Sequence, residues 1–254
     1  MNLKPQKTVE EGSKTAKDGF SNENMIVTEF NNWKNSIYAK EWLKIMNYNL
    51  EEIKKIYAKT LHGFKTDVQV EIIAITKKSA DYQNLQVKLV STKSSGFNQV
   101  DKRWIKDYST MWNIPNKIQK ILRLYSGEIQ HKIKNTKSKK RLFFNEINEK
   151  DKNLILNFFN ENKDLIIGDI IKGRGRLAAE WVLVINKSKG KIIRWSLNPI
   201  NKIINYLSNG EIIFTKQGNL KLGNVSLQRK GGDNGRPTAN MIQFKINPLN
   251  FFDI

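Results

Sequence analysis

The chain has 254 residues, 39% of them hydrophobic, and sets 44 Lys and Arg against 24 Asp and Glu for a formal charge of +20. That is enough apolar material for one large core or two modest ones, and more charge than solubility needs, which points to a polyanionic partner with nucleic acid first. The absence of cysteine excludes disulfide scaffolds, zinc knuckles, iron-sulfur clusters and thiol nucleophiles, while two histidines far apart, His62 and His131, exclude a multi-histidine metal site.

A plainer source of the charge competes with this reading. Only eight of the basic residues are Arg and Asn occurs 30 times, as a coding bias toward Lys and Asn would produce. Such a bias leaves the shortage of Asp and Glu unexplained, so a polyanion-binding face is expected. No stretch approaches the roughly 18 apolar residues of a membrane span, and the polar N-terminus lacks a signal peptide's apolar core. A cytoplasmic protein with no membrane association is therefore expected.

Taken in chain order, Ile26, Phe30, Trp33 and Ile37 recur at spacings of four, three and four, which predicts a helix capped at Ser21 or Asn22. Further helices are predicted near Tyr38 to Met46 and Leu50 to Thr60. From Gly63 the period becomes two: Val68, Val70 and Ile72 alternate, then Leu85, Val87 and Leu89, which predicts two neighbouring strands. Residues 91–102 read as a polar loop, and residues 100–126 return to helical spacing with Pro115 as a break. The run from His131 to Arg141 is dense in Lys, carries one aliphatic residue, Ile133, and reads as a solvated loop able to touch phosphates. A helix near Asp151 to Asn162 precedes strand-like runs at Ala179 to Asn186, Ile192 to Leu197 and Glu211 to Thr215, with a helix at Asn198 to Leu207. A last pair, Asn219 to Lys230 and Met241 to Ile246, flanks a polar loop. The chain is mixed α/β, and periodicity leaves the sense of strand pairing open.

The chemistry is concentrated in Thr66-Asp67, eighteen intervening residues, then Gln86-Val87-Lys88. On a strand, residues 86 and 88 share a face and residue 87 takes the other. If Asp67 faces outward at the same level, a carboxylate, an amide and an ammonium converge. Oxygens of Asp67 and Gln86, with the Val87 carbonyl, would then hold one or two Mg²⁺ ions, and Lys88 would face developing phosphoryl charge. Ordinary strand surface is the plainer reading of the bare spacing; the flanking apolar alternation and the positive charge favour the site. Glu23 is a candidate further acid, or a first-turn Glu serving the helix dipole.

Other residues suit DNA contact. Phe97 is a core anchor or an apolar wedge for a base step, with Gln99 and Lys102 near base edges. Arg229 and Arg236 match guanine O6 and N7, and Asp233 matches cytosine N4, in a loop that also holds Lys230 and Asn234. The turn from Gly173 to Arg176 carries Arg174 and reads as a phosphate contact or a plain turn.

Beyond these readings, the stretches Gly12 to Phe20, Asn84 to Ser91, Gly96 to Gln99, Ala178 to Val184, and Gln228 to Arg236 continuing to Phe244-Lys245-Ile246 closely resemble the small type II restriction endonucleases that recognise GCGC and cut after the first G. The likeness runs from about Gly12 to Ile254. It implies the PD-(D/E)XK superfamily in its Asp, Gln-x-Lys variant, with Asp67, Gln86 and Lys88 as the catalytic set. It also implies a restriction-endonuclease-like core of a mixed β-sheet flanked by helices, and a second β-rich region for DNA recognition. On this resemblance residues 12–130 form the catalytic region and 131–254 the recognition region, with 1–11 a flexible extension. Lys14, Lys17 and Asn98 join the DNA-contact candidates. The implied activity is Mg²⁺-dependent hydrolysis of double-stranded DNA leaving a 5′ CG overhang, by a monomer or weak dimer, with a cytosine methyltransferase as genetic partner. A non-enzymatic DNA-binding protein and a structure-selective repair nuclease of the same superfamily are the alternatives.

Overall fold

The apolar spacing of Ile26 and Phe30 forms one buried face of a helix, α1, over residues 20–31 in a computed structural model that describes residues 20–75, 80–91, 97–188, 191–232 and 236–254. The helix does not continue to Ile37. Ser36 accepts a hydrogen bond from the Ala39 amide and starts a separate helix, α2 (Ile37–Ile45), so Ile37 lies in its first turn and is 72% exposed. Asn31 ties α1 to the edge of a sheet: its amide donates to the Ala58 carbonyl at 3.1 Å and accepts from the Ala58 amide at 2.7 Å. That pairing occupies backbone groups an edge strand leaves open.

Leu50 to Thr60 is not a helix but a short 3-10 turn leading into β1 (Ile53–Thr60). The register of β1 against β2 (Val68–Ala74) slips between Ile53 and Lys55. The extra residue brings Ile53 and Ile56, three apart, to the same buried side and so imitates helical spacing. β3 (Asp81–Ser91) runs antiparallel to β2 and parallel to β5 (Trp181–Ser188), which pairs antiparallel with β6 (Lys191–Pro199). The order β1-β2-β3-β5-β6 is a mixed sheet, and α1 and α2 bury Phe30, Trp42 and Leu43 against its Val68, Val70, Leu85 and Leu183.

Asn98–Arg103, expected to be loop, is β4; among the described strands it pairs only with β10 (Ile242–Ile246), and as an edge strand it buries Asp101 alone, so it shows no apolar alternation. The second sheet has the order β4-β10-β9-β8-β7 and is antiparallel throughout. β7 (Ile212–Phe214) lies in the expected Glu211 to Thr215 run, while β8 (Leu220–Leu222) and β9 (Val225–Arg229) resolve the run after Asn219 into two strands. The tight link between them places Gly223 at φ +52°, where an added Cβ would sit 2.5 Å from the Leu207 carbonyl oxygen. Helices α3 (Ile105–Trp112), α4 (Asn116–Ser126) and α5 (Glu149–Glu161) accompany this sheet. Tyr108 stacks on Trp112 at 4.7 Å and both meet the edge of Phe244, while Tyr125 stacks on Phe144 at 3.9 Å.

The described residues divide into two compact units. One holds the mixed sheet, built from residues 20–91, Ile171–Ile203 and Asn247–Ile254; the other holds the antiparallel sheet, from Phe97–Ile170 and Ile204–Ile246. The division does not follow a single cut near residue 130. Parallel pairing of β3 with β5 needs a long crossover, and that crossover carries the first part of the other unit. The chain passes between units within α6 (Lys163–Ile171), a helix without a sequence forecast, and α7 (Ile200–Ser208). No helix among the described residues is long and apolar enough to cross a membrane.

Candidate active site

Asp67 stands at the entrance to β2, where its amide donates to the Leu85 carbonyl at 2.9 Å and its carbonyl accepts from the Leu61 amide at 2.9 Å. The backbone is thus gripped from both sides, and the carboxylate is aimed at β3. Its Oδ2 accepts from the Val87 amide at 2.7 Å and lies 3.6 Å from Lys88 Nζ. A charge-assisted hydrogen bond and an ion pair on one oxygen orient the group without covering it: the Asp67 and Lys88 side chains keep 22% and 16% exposure.

Gln86 follows the strand geometry only in part. It shares a face with Lys88, yet it is 3% exposed. Its Nε2 is 3.5 Å from the carbonyl oxygens of Lys65 and Ile171, the limit of hydrogen-bonding range, and its Oε1 is buried without a partner among the described residues. An orphaned buried acceptor is costly unless something fills its demand.

Glu23 comes from α1. Burial, and then the charge of Asp67, push its carboxyl up to about 7, with Lys88 acting in the opposite sense. Glu23 and Asp67 line an open cavity of about 370 Å³ together with Phe20, His62 and Phe64. His62 and the two phenylalanines were not singled out by sequence, since nothing in the spacing ties the 61–64 turn to Asp67. His62 meets the edge of Phe20 at 5.7 Å.

The donor set suits a hard divalent cation: two carboxylates whose mutual repulsion a cation would relieve, and a buried amide oxygen lacking a partner. No trio of His, Cys, Asp or Glu gathers among the described residues, so such a site depends on the amide or on backbone oxygen.

The remaining forecast contacts fall in several places. Phe97 is 53% exposed, which removes the core-anchor reading. Gln99 and Lys102 are exposed on β4 and Asn98 is half-buried. The register sets Lys102, Gln243 and Gln228 abreast on β4, β10 and β9, and likewise Arg103, Ile242 and Arg229. The Arg229 guanidinium is engaged by protein, donating to the Ser126 carbonyl at 2.7 Å and to Asn240 Oδ1 at 2.6 Å. Arg236 and Arg174 are exposed, and Lys230 is half-buried. Lys14, Lys17, Asp233, Asn234 and the extension 1–11 lie outside the described residues. The basic run 131–141 is folded on itself, with His131 Nε2 between the carbonyls of Ser138 and Arg141 at 2.7 and 3.1 Å.

The family model described as R.HinP1I restriction endonuclease matches residues 46–252, a span that includes both sheets and the Asp67, Gln86 and Lys88 positions. The chain belongs to the R.HinP1I restriction endonuclease family. Membership makes it a type II restriction endonuclease. Its fold is similar to that of the restriction endonuclease MspI, solved in complex with its cognate DNA: the TM-score is 0.62 over 88% of this chain and 87% of that one, at 13% identity. No curated protein matches the sequence. For a R.HinP1I-family endonuclease, the cluster on β2 and β3 is the natural candidate for the site of hydrolysis.

Proposed function

We propose that the chain is a Mg²⁺-dependent endonuclease of the PD-(D/E)XK type. It cuts double-stranded DNA at GCGC after the first G, leaving 5′-phosphate ends and a 5′ CG overhang. The observation that carries this reading is one oxygen, Asp67 Oδ2, held at 2.7 Å by the Val87 amide and faced at 3.6 Å by Lys88, while Gln86, the residue before Val87, keeps an Oε1 with no partner among the described residues. Family membership and the +20 charge support it, as does the likeness to MspI, a protein that binds its cognate DNA.

Asp67, Gln86 Oε1, the Val87 carbonyl and Glu23 are the residues that would hold Mg²⁺. When bound, the ion supplies Lewis acidity to a phosphoryl oxygen and lowers the pKa of water. The chain's own groups do the rest. The Val87 amide fixes the direction of the Asp67 carboxylate. Lys88 places a positive charge where the phosphoryl group gains negative charge, and Glu23, pushed up to about 7 in the metal-free chain, would give up its proton as the cation binds. Gln86 contributes an oxygen without a third negative charge.

Base reading is proposed for Arg236 and for Gln99 and Lys102 of β4, with Phe97 as the wedge; Lys230, Asp233, Asn234, Asn98, Lys14 and Lys17 complete the proposed contact set, while Arg229, bonded to Ser126 and Asn240, is assigned to holding the protein in place. The proposed setting is the bacterial cytoplasm, with a cytosine methyltransferase protecting host sites and the enzyme acting as a monomer or weak dimer.

Digestion of a sequenced supercoiled plasmid, with and without Mg²⁺, followed by end mapping tests the reading. Discrete Mg²⁺-dependent cuts at GCGC are expected. Binding without nicking at any metal would leave a DNA-binding protein, and cuts tied to flaps or mismatches would leave a repair nuclease.

A further inference from the structure

We infer that the turn from Gly173 to Arg176 is a phosphate clamp on the strand being cut, with the guanidinium of Arg176 its principal cation and Arg174 beside it. This rests on the hydrolytic reading of Asp67 and Lys88; the sequence left the turn open between a phosphate contact and a plain turn, and what is added is its attachment to the site and the assignment of Arg176.

The turn is strapped to the two strands that carry the site. Thr66, the neighbour of Asp67 and fully buried, donates its hydroxyl to the Leu177 carbonyl at 2.7 Å. Asn84, two residues before Gln86 on the same face of β3, donates Nδ2 to the Arg176 carbonyl at 3.2 Å. Its Oδ1 accepts from Gln69 Nε2 of β2 at 2.9 Å, and its main-chain amide donates to Glu180 Oε2 at 3.0 Å. Gln86 Nε2 approaches the Ile171 carbonyl.

The turn is also stiff. Gly173 and Gly175 both sit at φ +77°, and a Cβ on Gly173 would fall 2.7 Å from Lys65 Cγ. The Ala178 amide closes onto the Gly175 carbonyl at 3.0 Å, and the Ala179 amide onto that of Lys172 at 2.8 Å.

A solvent-facing turn has water for its carbonyls and does not need Asn84, Gln69 and Thr66 buried beneath it to satisfy them. What the network secures is position: Arg174 and Arg176, both exposed, stand on a rigid base bonded to the residues flanking Asp67 and Gln86. A planar guanidinium on such a base suits a backbone phosphate bidentately, and the tethers restrict that phosphate to the neighbourhood of the hydrolysed bond.

The test uses the full chain and a duplex with one GCGC site, in versions carrying a single neutral methylphosphonate at each phosphate around the cut. Wild-type cleavage of the unmodified duplex is measured first, beside the sequenced plasmid; a plasmid left uncut would sink the hydrolytic reading itself and is recognised separately, and cuts elsewhere would move the duplex to the mapped site. Under single-turnover conditions, Arg176→Ala is expected to slow cleavage of the unmodified duplex by about ten-fold or more. One methylphosphonate position should slow the wild type equally and slow Arg176→Ala no further, with Arg176→Lys recovering part of the rate. The salt dependence of binding in Ca²⁺ should flatten by about one phosphate's worth in Arg176→Ala. Losses that multiply at every position, or a variant matching wild type in both rate and salt dependence, would overturn the clamp.

Discussion

Lys88 Nζ lies 3.6 Å from Asp67 Oδ2, the oxygen whose other contact is a backbone amide. The pair is mostly buried, where desolvation offsets much of the attraction, and its geometry suits a charge held ready for a phosphate. Lys88→Ala is accordingly expected to slow cleavage on the order of 10²- to 10³-fold or more while leaving sequence-specific binding in Ca²⁺ nearly unchanged. A parallel loss of binding, read by gel shift on cognate and unrelated duplexes, would reassign Lys88 to holding DNA.

Gln86→Glu exchanges a buried amide for a carboxylate facing the carbonyl oxygens of Lys65 and Ile171. Without metal, the new charge meets acceptors and the protein should lose stability. With Mg²⁺ the extra charge favours the ion, so the concentration needed for half-maximal cleavage should fall. Urea midpoints in EDTA and a Mg²⁺ titration of the cleavage rate check both halves.

The raised carboxyl of Glu23 makes the folded chain hold its proton more tightly than the unfolded chain does. Stability should therefore fall as pH rises from 4.5 through about 7 and then level off. Glu23→Gln should flatten that part of the metal-free stability profile. Mg²⁺ should stabilise the wild type more at pH 8 than at pH 5, because cation and proton compete for the same carboxylate. Denaturant midpoints across pH, with EDTA and with Mg²⁺, give the answer.

Arg229 and Arg236 should part company on mutation. Arg229 anchors Ser126 and Asn240, so Arg229→Ala should cost about 1–3 kcal/mol of folding stability. Arg236→Ala should leave stability alone and cost about 1–3 kcal/mol of discrimination at one base pair. Thermal melts and binding to single-base variants of the site separate the two; a uniform loss across sequences for Arg236→Ala would make it a phosphate contact.

The sequence by itself determined the mixed α/β character, the cationic excess and the Asp67, Gln86 and Lys88 spacing, since composition and side-chain period are local properties of a chain. Residues 20–31 and β3 were legible because an uninterrupted face shows its period. β1 was not, because a one-residue bulge gave Ile53 and Ile56 a helical interval, and β4 was not, because an edge strand needs little apolar alternation. Only the tertiary structure decided that β5 joins β3 across a long crossover, that Gln86 is buried with its oxygen unmet, that the Arg229 guanidinium is engaged by protein, and that the Gly173–Arg176 turn is tied to Thr66 and Asn84. Those are relations between residues up to 111 positions apart, and no local period records which distant carbonyl a buried amide will meet.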